Sequence, residues 1–157
     1  MKLRFRSYRA GDANAFRTLN EAWIRTYFTL EEKDRTTLGD PEKYILVPGG
    51  HIFFAEDEET QTIVGCCALE RIGDAEFELS KMAVEEAHRG QGIGRGLMQF
   101  VVQQARALGT SRLFLVTNHT LTNAIALYRS AGFEHLPPAR VPKSPYARAD
   151  VFTELLL

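Results

Sequence analysis

Apolar and polar residues alternate from Leu3 to Tyr8, the two-residue period of a half-buried strand. The period then changes. Phe16, Leu19, Trp23 and Tyr27 recur every three or four residues and predict a helix from Ala13 to about Tyr27, with Asp12 as its N-cap. A short second helix is predicted over Glu31 to Thr37. Pro41 to Leu46 reads as a helical turn, because Asp40 caps it and proline takes its first position. His51 to Glu56 and Ile63 to Arg71 read as an antiparallel hairpin, and Ala75 to Val84 as the next strand. Leu97, Val101, Ala105 and Leu108 form the core-facing stripe of a helix over Leu97 to Leu108, which Gly109 ends. Leu113 to Thr117 is a continuous apolar run suited to a buried strand. Asn123 to Ala131 is a further helix stopped by Gly132, and Arg148 to Leu156 is a closing strand. The proline-bearing stretch from His135 to Ala147 between them is a loop.

This order predicts an α/β chain with a mixed central sheet and helices on both faces. Only the two strands joined through the Leu97–Leu108 helix must be parallel. No repeat or linker interrupts the pattern, so residues 1–157 read as a single domain.

Composition narrows the classes. Hydrophobic residues at 45% and charged residues at 25% describe a globular chain, and a formal net charge of −1 gives no general attraction to nucleic acid or anionic membrane. No apolar run is long enough for a membrane span, and Met1 is followed by polar residues rather than a secretory signal. Cys66 and Cys67 are adjacent in a strand-like run, so they point to opposite faces and a disulfide between them is strained. Two free thiols suit the cytoplasm. No ligand spacing of Cys or His suggests a metal.

The chemistry concentrates in the run Arg89-Gly90-Gln91-Gly92-Ile93-Gly94-Arg95-Gly96, which follows a strand and precedes a helix. Unpaired N–H groups of a first helical turn converge on one spot that the helix dipole makes positive. Glycine lets the backbone approach a phosphate closely. The alternative is a turn that merely joins strand to helix. No Gly-Lys-Ser/Thr closes the run, so it is not a Walker loop. Nor is it G-x-G-x-x-G: the third glycine would fall at Arg95 or Leu97, and no acidic residue ends the next strand, Val116-Thr117-Asn118.

Three segments stand in order: Glu78-Leu79-Ser80-Lys81-Met82-Ala83-Val84, then Arg89-x-x-Gly92-x-Gly94, then Asn123-Ala124-Ile125-Ala126-Leu127-Tyr128 followed by Gly132-Phe133. Over residues 75–134 this resembles the GNAT acetyltransferase superfamily. The resemblance implies the family's mixed sheet, with central strands that splay to admit acetyl-CoA as co-substrate. It implies that the pantetheine arm pairs with Met82, Ala83 and Val84 as a false strand. It places the pyrophosphate on Arg89 and the N–H groups from Gly90, Gln91, Gly92, Ile93, Gly94 and Arg95 to Gly96. By family position the Met82 N–H stabilises the oxyanion, and Asn123 contacts the cofactor. Asn123 equally suits a helix-capping bond.

Tyr128 has two readings, a half-buried packing aromatic or, by family position, the general acid that protonates the CoA thiolate. An alkyl amine is neutral only about once in a thousand molecules at pH 7, so a base is required. Glu78 matches the position where family members place one. Strict alternation puts it on the same strand face as Met82, with Glu76 and Ser80 available to hold a relaying water. A solvated edge glutamate is the competing reading. Trp23, Tyr27 and Phe28 are core by default; the resemblance implies that some of them also wall the acceptor pocket, with Ser144-Pro145-Tyr146-Ala147-Arg148 available as the opposite wall. The histidines receive no role. The function implied is transfer of acetyl from acetyl-CoA to a primary amine by direct attack in a ternary complex. A non-catalytic acyl-CoA sensor is the alternative, and the family analogy allows a homodimer through the C-terminal strand.

Overall fold

The computed structural model describes residues 1–157. They fold in the order β1 (Leu3–Ser7), α1 (Ala13–Tyr27), α2 (Glu32–Gly39), β2 (His51–Asp57), β3 (Thr62–Gly73), β4 (Glu76–Val84), α3 (Ile93–Ala107), β5 (Arg112–Thr117), α4 (Thr122–Ser130), β6 (Glu134–His135) and β7 (Val151–Leu156). The strands make one sheet in the order β1-β2-β3-β4-β5-β7-β6. Only β4 and β5, joined through α3, are parallel, as the right-handed crossover requires.

The central strands are apolar on both faces because both faces are covered. Phe53, Cys67, Leu69 and Leu79 pack with Leu97, Met98 and Val101 of α3. Their neighbours Ile52, Phe54, Cys66 and Ala68 pack on the other face with Phe16 and Ile24 of α1 and Leu38 of α2. Cys66 and Cys67 therefore lie on opposite faces as buried free thiols.

Several local expectations are corrected. Asp12 is the N-cap residue of α1, its carbonyl accepting from the Phe16 N–H at 3.1 Å, but its side chain makes no capping bond. Its carboxylate accepts from Arg6 Nη1 at 2.8 Å and from the Arg9 N–H at 2.7 Å, tying the helix entry to β1. The buried stripe of α1 is Phe16, Asn20 and Ile24, and Tyr27 is 48% exposed. The polar Asn20 belongs to that stripe because its amide donates to the Phe16 carbonyl and to Cys66 Sγ. Ala75 is no part of β4; it takes φ +54° in the turn before it.

α3 starts at Ile93 rather than Leu97. Glycine at 94 and 96 lowers helix propensity, but Ile93 is buried against Ala55 and Val64 and pins the first turn. Gly96 permits a close crossing over β1: a Cβ there would stand 2.8 Å from the Phe5 ring.

Two departures from regularity in β4 shape the site. Ser80 pairs with Ala68 and Ala83 with Cys66, so β4 carries one extra residue, a β-bulge. Lys81 at the bulge takes φ +55°. On the other edge, β4 pairs with β5 only over Glu76–Glu78. Beyond Glu78 the two strands part.

Candidate active site

The parted strands open two clefts that meet. One, with about 800 Å³ of open space, runs along Met82–Val84, past Arg89, Gly90, Gly92 and Gly94, to Asn123 and Leu127 on α4. The other, about 770 Å³, lies between α1, the Glu78–Met82 stretch, the end of β5 and Tyr146–Ala149. Trp23, Met82 and Tyr128 line both.

The first cleft ends on the glycine run. The backbone N–H groups of residues 90–95 donate to no group of the chain. Gly92 supplies the positive φ, +81°, that turns the chain into α3. The first intrahelical bond runs from the Gly96 N–H to the Gly92 carbonyl at 3.0 Å. Gly96 therefore differs from the expectation that it offers a free donor; its role is the close crossing over Phe5. The Gln91 and Arg95 side chains are exposed and outside the cleft. Arg89 folds back, donating from Nε to the Val84 carbonyl at 3.1 Å and stacking on Tyr27. Asn123 makes no capping bond and faces this cleft.

Glu78 lines the second cleft, and Glu70 stands directly opposite it across β4 and β3. Burial, and then the charge of Glu70, push the Glu78 carboxyl up to about 7, against the opposing pull of Lys81 and Lys33. Ser80 Oγ donates to Glu70. Glu76 is outside the cleft, beside Arg112. The bulge shifts the parity, so Glu78 and Ser80 stay on the α1 face while Met82 packs on the α3 face. The expected sharing of one face by Glu78 and Met82 is corrected accordingly. Tyr128 packs edge-on against Phe133, and its hydroxyl has no partner in the chain. Burial raises its pKa, so it stays a phenol.

The far wall is clamped by Arg148. Its guanidinium grips both oxygens of the fully buried Asp34 at 2.7 and 2.8 Å and donates to Glu31 at 3.1 Å. Burial works against the Asp34 charge, but the Arg148 and Glu31 N–H hydrogen bonds outweigh it and hold the carboxyl below its ordinary range. Arg148→Met leaves that carboxylate buried and unpaired, and is expected to cost roughly 3 kcal/mol of stability at pH 7. A carboxyl depressed in the folded state contributes stability above its unfolded pKa and loses it as pH falls. The difference between variant and parent, read by urea denaturation, should therefore shrink below about pH 4.

A family model, the Acetyltransferase (GNAT) family, matches residues 16–133. The chain belongs to the GNAT family. Among curated relatives, human N-acetyltransferase 8B is 32% identical over 104 residues, 64% of this chain and 46% of the relative. The match spans about half the length of this relative and of Escherichia coli YjgM, and about a fifth of others. Among solved structures, an acetyltransferase of the GNAT family from Staphylococcus aureus superposes with a TM-score of 0.85 at 20% identity, covering 98% of each chain. The yncA structure from Salmonella typhimurium, solved with its cofactor acetyl-CoA, gives 0.71 at 21% identity and covers 99% of this chain and 94% of that one. These likenesses establish the GNAT fold, and the splay of β4 from β5 is where the resemblance put it.

The structure gathers Glu78, Met82 and Tyr128 around one junction, and Val84, Arg89, Gly90, Gly92, Gly94 and Asn123 along one cleft. Sequence reasoning missed Lys81, Glu70 and Asp34. The available signal for Lys81 was a lone cation inside the otherwise apolar end of a strand.

Proposed function

We propose that this chain transfers acetyl from acetyl-CoA to a primary amine by direct attack, with both substrates bound at once. The observation that carries the reading is the junction: a cleft lined by Gly90, Gly92, Ile93 and Gly94, four of the six residues whose backbone N–H groups are free, meets, at Met82 and Tyr128, a cleft holding Glu78. In this reading the N–H groups of residues 90–95 and Arg89 hold the pyrophosphate. The open edge of β4 at Met82–Val84 takes the pantetheine amides. The Met82 N–H receives the developing oxyanion. Glu78 removes the amine proton, directly or through water, and Tyr128 protonates the departing thiolate. The two buried free thiols fit work in the cytoplasm. No helix is long and apolar enough to cross a membrane.

Release of CoA thiol across a panel of amines tests the reading. Amine-dependent release supports it; tight acetyl-CoA binding without release with any amine would make the chain a sensor. The phosphate site has its own test. A Cβ at Gly94 meets only Leu127 and Val84, each at 3.9 Å, and φ there is ordinary, so Gly94→Asp fits the fold. It sets a negative charge among the free N–H groups. Acetyl-CoA affinity by calorimetry is expected to fall by roughly 10- to 100-fold, with circular dichroism unchanged. Unaltered affinity would move the pyrophosphate elsewhere.

A further inference from the structure

The acceptor cleft holds a cation that the transfer chemistry above does not use. Lys81 donates from Nζ to Tyr146 Oη at 2.7 Å and stands 4.8 Å over the same ring. An ammonium has three donors and no acceptor, so two remain uncommitted. No nearby carboxylate accepts a hydrogen bond from Nζ: Glu70 and Asp34 act on the ammonium only through space, with Ser80 bonded to Glu70 and Arg148 gripping Asp34. Arg148 commits Nη1 and Nη2 to Asp34 and Glu31, and these two carboxylates balance its charge. Tyr146 Oη accepts from Lys81, which leaves its own O–H without an acceptor in the chain. The bulge fixes where Lys81 leaves the strand. Apolar Trp23, Ile24 and Phe28 complete the cleft on the α1 side, and Glu78 lies on the same wall as Lys81.

A half-buried cation with spare donors, held beside a spare phenol, matches an anionic group. A carboxylate on one wall position and an ammonium at the Glu78 position together describe a zwitterion. We propose that Lys81 and Tyr146 form a carboxylate subsite, and that the acceptor is an α-amino acid with an apolar side chain. The proposal rests on the acetyl-transfer reading of the same cleft and names its substrate class. A simple amine leaves the two spare Lys81 donors without an acceptor, and so binds less well.

The test compares L-leucine, L-leucinamide and 3-methylbutylamine, which share the apolar side chain and differ at the carboxylate. Leucine is expected to exceed both others in kcat/KM by on the order of 10- to 100-fold, the worth of a charge-assisted hydrogen bond. Lys81→Met should bring the ratio to about one, mainly by raising the KM for leucine. Lys81→Arg should keep part of the preference. Should Lys81→Met misfold, Tyr146→Phe, in the loop before β7, carries the same readout with a loss of several-fold for leucine alone.

Calorimetric titration of leucine and leucinamide into the enzyme with CoA reads the subsite without turnover. Equal kcat/KM for all three compounds, or a preference retained in both Lys81→Met and Tyr146→Phe, overturns the carboxylate subsite and leaves acetyl transfer standing. Carboxylate-selective binding that is lost in Lys81→Met, with no turnover of any compound, upholds the subsite and overturns acetyl transfer. Binding of leucine no tighter than leucinamide overturns the subsite outright.

Discussion

Tyr128→Phe is expected to lower kcat by roughly 10²–10⁴-fold, the range of a lost general acid, while acetyl-CoA affinity stays within about twofold. The hydroxyl makes no bond within the chain, so its removal strands no partner, and the ring keeps its edge contact with Phe133. Melting temperature should barely move. A structural tyrosine would give the opposite pattern, with stability lost and turnover kept. Burial raises the phenol's pKa, which at first sight weakens an acid. The thiolate it serves is formed in the same cleft and is desolvated with it, so its proton affinity rises too. The phenol therefore remains a matched donor to a leaving group that water no longer reaches. Single-turnover rates isolate the chemical step. A variant within twofold of the parent in that measurement assigns Tyr128 to packing.

Much of this arrangement was legible in the residues, for identifiable reasons. Fully apolar runs at Ile52–Ala55 and Val64–Leu69 announce strands buried on both faces, and the helix stops at Gly109 and Gly132 both take positive φ. The free N–H groups of residues 90–95 follow from placing a glycine run ahead of a helix, even though that helix begins four residues earlier than its propensity indicates. What escaped was non-local. Asn20 looks like a break in the α1 stripe until Cys66, on a distant strand, supplies its partner. The bulge escaped because Lys81 is not a glycine, and nothing in its neighbours marks a left-handed residue. Alternation then misassigned the faces of Glu78 and Met82, and with them the cation that the bulge sets into the acceptor cleft. Glu70 escaped for the same reason as Asn20: its importance is a cross-strand pairing with Glu78 that only register reveals.

That pairing gives Glu78 its expected behaviour. Glu78→Gln should depress kcat/KM for the acceptor by on the order of 10²-fold at pH 7. In the parent enzyme the acid limb of the profile should fall near the pKa of about 7 that burial and Glu70 impose on this carboxyl. The variant should lack that limb, and its deficit should narrow as pH approaches the amine's own pKa near ~10, where the nucleophile arrives already neutral. Glu70→Gln removes the facing charge and should move the limb acidward without abolishing it. Glu76 cannot substitute, since it lies outside the cleft beside Arg112. Stability supplies an independent sign. A carboxyl whose folded pKa is raised burdens the folded state only where it ionises, a burden absent below about 4.5 and complete above about 7. Glu78→Gln should therefore raise the melting temperature at pH 8 and change it little at pH 4. Gain of stability with loss of turnover is the signature of a buried charge kept for chemistry. Gain of stability with an undiminished, unshifted kcat/KM profile would remove Glu78 from the mechanism and leave proton transfer to a water held by Ser80.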